Sequence, residues 1–363
     1  MRTALVHDWL VTMGGAERVL EEIARLYPDA PIYTGVVDYS RLSPYLKQRT
    51  IIPSFVQQFP RASKWYNRYL PFLMYAMEQF DLNGYDLVIS SSSSVAKGVL
   101  TRSETRHVSY VHSPMRYAWD LYHEYRTREA RGITRHIMGP VFHYMRLWDR
   151  LSADRVDLML ANSTSVAQRI HKHYRRRAEV VFPPVAVDRF SVADQPGSYY
   201  LAMSRLVQYK RVDLAIEAAN RLKIPLVVAG EGPERLRLEA LAGPTVTFRG
   251  WVDDEEAVQL MRGAKALIFP GEEDFGILPV EVQACGRPVI AFGRGGVLDT
   301  VVHKKTGWLF GEQTVDSAAE AILQADKLSW DARAIRAHAE QFSAEVFRAR
   351  LQSAILAPTD GLG

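Results

Sequence analysis

The chain has 363 residues, enough for two ordinary domains that each bury their own core. Hydrophobic residues at 47% and charged residues at 24% describe a globular chain and exclude a disordered one. Cys285 is the single cysteine, which excludes an intrachain disulfide and a cysteine-built zinc cluster, and a reducing compartment is expected.

No window approaches the ~20 uninterrupted apolar residues that span a bilayer. The start, Met1-Arg-Thr-Ala-Leu-Val-His-Asp8, has too short an apolar run for a secretory signal and reads as a first strand at 4–6. Gly14 and Gly15 follow it and open a helix over 16–27, where Val19, Leu20, Ile23, Leu26 and Tyr27 recur at helical spacing. Glycines there let backbone approach a ligand closely, and a tight turn explains them equally well; the Gly-x-Gly-x-x-Gly dinucleotide spacing is missing. Further strands are expected at 32–37, 86–90, 108–111 and 158–161, with a turn at the serine run 90–94.

The segment from Ala62 to Met77 mixes aromatics, long apolar side chains and a few cations, which suits an interfacial helix, an apolar acceptor groove or a core. Met138, Phe142, Met145, Leu147 and Trp148 read as core, with Arg146 and Arg150 outward. The net charge is +4, and basic residues gather in the first half: Arg126, Arg128, Arg131, Arg135, Arg146, Lys172 and 175–177. With no recognition motif beside them, an anionic membrane surface or a diphosphate acceptor is expected ahead of nucleic acid.

Pro183-Pro184, followed by Asp194-Gln-Pro-Gly197, marks a linker, because prolines stiffen a connection and cannot continue a sheet. The expected domains are 1–183 with about 340–363, and 197–339. In the second, strands are expected at 199–203, 226–229, 245–248, 266–269 and 289–291, a helix at 212–222, and an amphipathic helix over 334–356. Strands alternating with helices argue for α/β domains with parallel sheets.

Chemistry concentrates after these strands. Around Phe275, Gly276, Ile277 and Leu278 a loop runs into a helix, with Pro279 expected at its first position. Backbone N–H groups at such a terminus favour an anion such as phosphate. Glu273 before the turn and Glu281, expected in the first helical turn, suit neutral hydroxyls of a sugar or ribose. Arg205 and Lys210 follow the strand at 199–203; they converge on a diphosphate or are simply exposed cations. Gly230, Glu231, Trp251 and Val252 follow two further strands, and the glycines 293–296 form another loop or only a turn. His112 ends an apolar run at the edge where open α/β sheets bind ligands, or is a buried or capping histidine. His107, earlier in that strand, is the lesser candidate. Asp-x-Asp is absent, and Asp253 reads as a helix cap.

These segments together resemble the retaining glycosyltransferases of family GT4: Gly14-Gly-Ala-Glu17 its glycine loop, Ser204 to Lys210 its Arg-x4-Lys clamp, Gly230-Glu-Gly-Pro233 its nucleotide loop, and Pro270 to Gly296, with Glu-x7-Glu inside, its donor signature. The resemblance implies a GT-B fold, two Rossmann-like domains facing a cleft with the C-terminal helix crossing back to the first. Donor and nucleotide contacts would come from Gly14, Gly15, Arg205, Lys210, Gly230, Glu231, Trp251, Val252, Glu273, Phe275, Gly276, Ile277, Leu278 and Glu281. His112, Glu273, Arg205 and Lys210 would act at the reacting sugar and its diphosphate, and Arg116 and Tyr117 would meet the acceptor. The two cations would stand in for a metal, so no metal and no cofactor is expected.

Tyr110-Val-His-Ser-Pro-Met-Arg-Tyr-Ala-Trp-Asp120 is similar to bacterial mannosyltransferases of polysaccharide or O-antigen assembly. That similarity implies transfer of a hexose, with GDP-mannose the first donor, to a saccharide or a polyprenyl-diphosphate-linked acceptor. The setting would be the cytoplasm, with peripheral contact at the inner face of the membrane. The alternatives are a UDP-sugar-dependent transferase, a GT-B nucleotide-sugar epimerase, and a non-catalytic basic binding module.

Overall fold

The computed structural model describes residues 1–123, 134–192 and 197–357, the side chains of 134–137 excepted. Arg126, Arg128, Arg131, the side chain of Arg135 and linker residues 194–196 therefore lie outside the described residues. The chain divides into two compact units. The first runs from Met1 to Pro183 and resumes at Phe347; the second is Pro184–Val346.

Labelling strands and helices of seven residues or more, the first unit contains β1 (Thr3–His7), α1 (Gly15–Leu26), β2 (Ile32–Thr34), β3 (Ile51–Pro53), α2 (Leu70–Glu78), β4 (Leu87–Ser92), β5 (Arg106–Val111), α3 (Thr134–Ala153), β6 (Leu158–Ala161), α4 (Thr164–Tyr174) and β7 (Glu179–Val180). Its sheet is parallel in the order β3-β2-β1-β4-β5-β6-β7. Strands buried on both faces read as continuous apolar runs. Leu5, Ile32 and Ile89 point to a core shared with Leu20 and Ile23 of α1 and with Phe347 and Leu351. Ala4, Val6 and Val88 point the other way, onto Leu73, Met74 and Met77 of α2 and Met145 and Trp148 of α3.

The second unit contains β8 (Tyr199–Met203), α5 (Val212–Leu222), β9 (Leu226–Ala229), α6 (Arg235–Leu241), β10 (Val246–Gly250), α7 (Asp254–Gly263), β11 (Ala264–Phe269), α8 (Ile277–Ala284), β12 (Val289–Phe292), β13 (Gly307–Phe310), α9 (Val315–Asp326), α10 (Ala332–Ala339) and the start of α11 (Ala344–Leu356). Its parallel sheet has the order β10-β9-β8-β11-β12-β13. Tyr200, Val228, Ile268 and Ile290 share one core with Ile216 of α5 and Ile322 of α9. In each sheet the strand order reverses beside the unit's first strand, between β1 and β4 and between β8 and β11. Ligands of open α/β sheets bind at such switch points, outside the carboxyl ends of the strands.

Several expectations need correction. The tail is not one helix: α10 ends in a 3-10 turn, Glu340–Phe342, and Ser343 is extended before α11 begins. The first unit accordingly regains the chain at Phe347, not near 340. The serine run is not a turn through 90–94, because β4 continues to Ser92 and buries its hydroxyls against partners. Leu147 is exposed, and Arg146 is half-buried, donating to the Ala118 carbonyl at 3.0 Å. Arg176 spans the Ala153 and Val156 carbonyls at 3.1 and 2.7 Å, closing the end of α3. Part of the basic composition therefore serves the fold.

Candidate active site

In the second unit the glycines draw the post-strand loops together. Gly230 has φ +127°, and a Cβ there would stand 1.9 Å from the Ser204 carbonyl oxygen. Its N–H donates to the Gly250 carbonyl at 2.6 Å, while the Leu206 N–H donates to Glu231 at 2.8 Å. The loops after β8, β9 and β10 are thus laid backbone on backbone, which side chains would prevent. The glycine loop after β12 does the same for the donor-like loop. Gly296 donates to the Glu273 carbonyl at 2.8 Å, and a Cβ on it would lie 2.2 Å from Phe275 Cα. This loop is more than a turn, since its glycines fix the course of 273–275.

At the switch point, the loop after β8 meets the loop after β11. Lys210 Nζ donates to Glu273 Oε1, both side chains being mostly buried at 14% and 25% exposure. Gly271 packs so closely on the Lys210 backbone that a Cβ would fall 2.9 Å from Lys210 Cα. Arg205 is exposed. Glu231 pairs with Arg235 of α6, and Trp251 stands 74% exposed beside half-buried Val252.

Helix α8 starts at Ile277, with Gly276 as its left-handed N-cap at φ +87°. Pro279 is therefore the third helical residue, not the first, and Glu281 lies in the second turn. The change keeps the anion logic. The N–H groups of Ile277 and Leu278 have no carbonyl one turn back, and the proline removes a donor that would have been orphaned. Asp253 caps α7 by accepting from the Glu256 N–H at 2.8 Å. Among the described residues no three His, Cys, Asp or Glu side chains converge to hold a metal ion.

In the first unit, Asp8 fills the switch point between β1 and β4. Its carboxylate accepts from the N–H groups of Ser93, Ser94, Val95 and Ala96 at 2.5–3.1 Å. Burial pushes this carboxyl above its usual range, while His7 and those donors offset part of the rise. Gly14 is the N-cap of α1 and Gly15 its first residue. The Gly14 N–H donates to Glu17 Oε2 at 2.8 Å, and Glu17 Oε1 stands 3.9 Å from His7 Nε2. Burial raises the Glu17 carboxyl, but His7 and the backbone donors outweigh it and hold it below its usual range.

His112 is half-buried one residue beyond β5, its Nε2 2.8 Å from Ser91 Oγ. Burial lowers its pKa to about 3, so the ring is neutral at pH 7 and suits a hydroxyl better than it suits a phosphate. His107 is fully buried against Ser90, the structural histidine of the pair. The Tyr117 hydroxyl lies 2.6 Å from Ser94 Oγ, and the His173 hydrogen bond holds the Asp120 carboxyl below its usual range, with Arg169 and then Arg116 adding to it. Tyr117 and Arg116 therefore already interact within the unit. Sequence reasoning missed His7, Asp8 and Ser91 as site residues because no motif singles them out, and named Glu17 only within the glycine motif; the register of β1 against β4 sets His7 beside Ser91, and α1 brings Glu17 to His7.

Comparison with known proteins matches this description. The chain superposes on Anabaena HepE, solved in complex with UDP-glucose, with a TM-score of 0.70 at 18% identity, covering 98% of this chain and 99% of that one. Two parallel-sheet Rossmann-like units in this order define the GT-B class of fold. A model of glycosyl transferases group 1 matches residues 187–342, and one of glycosyltransferase family 4 matches residues 13–189. The chain belongs to these family 4 glycosyltransferases.

Among curated relatives, the D-inositol 3-phosphate glycosyltransferase of Streptomyces avermitilis is 31% identical over 54% of this chain and 53% of its own length. The chain thus spans about half the length of such relatives. Mouse alpha-1,3/1,6-mannosyltransferase ALG2 is 24% identical over 82% of this chain and 81% of its own.

Proposed function

We propose that the chain is a retaining hexosyltransferase that moves mannose from GDP-mannose to a saccharide or lipid-linked saccharide acceptor. The observation that carries this reading is the Lys210–Glu273 pair at the β8/β11 switch point, in front of the N-terminus of α8. A cation, a carboxylate and outward N–H groups at one strand edge suit a sugar diphosphate. The cations and N–H groups hold the diphosphate, and the carboxylate takes a sugar hydroxyl.

Lys210 and Arg205 stabilise the leaving diphosphate as the anomeric C–O bond breaks, and no metal ion is needed for that charge. The new bond forms to the acceptor oxygen on the same face, and the acceptor proton passes to a phosphate oxygen of the leaving group. Glu281 takes ribose hydroxyls, and neutral His112 takes a sugar hydroxyl. The mannosyltransferase among the relatives supports mannose, whereas the UDP-glucose held by Anabaena HepE keeps a UDP-sugar as the second donor. Incubation with GDP-mannose, UDP-glucose and other nucleotide sugars, with nucleotide release followed in EDTA, tests the reading. Release from GDP-mannose above the other donors supports it, and magnesium-dependent release contradicts the metal-free step.

One surface favours a peripheral membrane contact. Phe72 and Tyr75 of α2 are 52% and 57% exposed and form a ring cluster with Phe55 and Phe59. Arg61 and Arg68 stack on Trp65 nearby, and Arg61, Lys64 and Arg68 are all exposed. Aromatic rings among cations suit an anionic lipid interface. Among the described residues no helix is long and apolar enough to cross a membrane. Flotation with phosphatidylglycerol vesicles should capture the protein at low salt and release it at high salt; no capture at any salt rejects the contact.

A further inference from the structure

We infer that Glu17 is a positioning residue for His112, acting through His7 and the glycine turn. This rests on the reading that His112 meets the reacting sugar. The geometry is a row of four polar side chains across the carboxyl edge of the first sheet. His7 and Ser91 are direct register partners on β1 and β4, so they stand side by side on one face, about 5 Å apart along the sheet. Ser91 is also the register partner of Tyr110 on β5, which places His112 two residues further along the same face. There its ring meets that of Tyr110 edge-on at 5.2 Å. Ser91 Oγ lies 2.8 Å from His112 Nε2 on one side of the row, and Glu17 Oε1 faces His7 Nε2 on the other.

A capping carboxylate does not need this setting. Glu17 already receives the Gly14 N–H through Oε2, and such a cap works in full contact with water. Here the carboxylate is only 5% exposed and turns its second oxygen to a histidine that is 2% exposed. The other ring nitrogen of that histidine, Nδ1, is buried without a hydrogen-bond partner. Burying a charge beside an unsatisfied imidazole nitrogen is costly, and groups of this kind in native proteins call for an explanation. Burial lowers the pKa of the His112 ring, and the Glu17 carboxylate acts against that lowering. The same carboxylate therefore fixes the glycine turn and the electrostatic setting of the ring presented at the edge. Asp8, the other carboxylate here, is engaged by its four N–H donors, which leaves Glu17 as the acid that faces the row.

Glu17→Gln separates this role from capping, because glutamine also closes a capping box but carries no charge. In the full chain the substitution should leave the melting temperature within about 2 °C and GDP affinity within about twofold. It should lower kcat for mannose release from GDP-mannose roughly 10- to 100-fold. In a His112→Asn background the same change should cost less than about twofold, because residues acting as one unit are not additive. An unaltered kcat, or an equal loss in both backgrounds, overturns the inference. Nitrogen NMR of histidine-labelled protein gives a reading independent of turnover: the His112 ring nitrogens should shift in Glu17→Gln, and unmoved signals overturn the coupling. A wild-type chain that turns over no nucleotide sugar while those signals move would reject the proposed function and leave the coupling standing.

Discussion

Lys210 and Glu273, 63 residues apart in sequence, form an ion pair across the switch point of the second sheet. Each is the residue expected to meet a different part of a sugar nucleotide, Lys210 the diphosphate and Glu273 a sugar hydroxyl. In the fold each is the other's partner. The pair keeps two mostly buried charges compensated.

Lys210 is accordingly not a mobile surface lysine, and its removal leaves Glu273 uncompensated. Lys210→Met should lower GDP affinity by roughly 10- to 100-fold, as loss of a charge-assisted contact does. The melting temperature should fall by only about 2–4 °C, equivalent to ~1 kcal/mol in a domain of this size. Calorimetry and thermal unfolding check both; a large loss of stability with unchanged GDP affinity would assign Lys210 to the fold.

The glycine contacts give a sharp contrast. Gly230→Ala places a Cβ against the Ser204 carbonyl at a φ that alanine rarely adopts, whereas nothing lies within 4 Å of a Cβ on Gly311. Gly230→Ala should destabilise the second unit by at least ~1–3 kcal/mol and weaken GDP binding with it. Gly311→Ala should leave both unchanged. Equal effects in the two variants would mean that the loop stack does not shape the nucleotide site.

How much of this was legible follows from where the signals lie. Tyr199–Met203, Leu226–Ala229 and Leu158–Ala161 match the expected bounds because central parallel strands are apolar on both faces. Three of the four edge strands are not legible: Ile51–Pro53 has two apolar residues before a proline, Glu179–Val180 has two residues in all, and Gly307–Phe310 opens on glycine. The loop residues Lys210, Glu273 and Gly230 were legible through the family pattern. Their mutual contacts were not, since an ion pair between two binding residues depends on which strands are neighbours. Glu17 is legible only as part of a glycine motif, and its facing of His7 appears only once α1 is docked on β1.

Stability should depend on pH through His107. Burial lowers its pKa to about 4, so between pH 4 and about 6.5 the unfolded chain binds a proton there that the native chain does not. Stability therefore rises with pH across that window, by up to about 1.4 kcal/mol per pH unit for this one group. His107→Gln should flatten the rise in melting temperature between pH 5 and pH 7. An unchanged slope would show that His107 titrates alike in both states.

The buried pair Lys97–Asp149 predicts an asymmetry. Asp149 is fully buried and accepts from Lys97, from Trp119 Nε1 at 2.7 Å and from the Tyr174 hydroxyl at 2.9 Å. Asp149→Ala strands three donors at once and should cost about 3–5 kcal/mol. Lys97→Met leaves the carboxylate with two donors and should cost less. Chemical denaturation orders the two, and the reverse order would contradict the network.

A sugar nucleotide is proposed to sit at the second unit's switch point, with Glu281 on the ribose and Glu273 on the sugar. Titration calorimetry of GDP and GDP-mannose on Glu281→Gln and Glu273→Gln tests it most directly. Glu281→Gln should weaken both ligands by roughly one to two decades, the worth of a charge-assisted hydrogen bond. Glu273→Gln should leave GDP affinity intact and weaken only GDP-mannose. Equal loss of GDP affinity in the two variants, or no loss in either, would contradict the account.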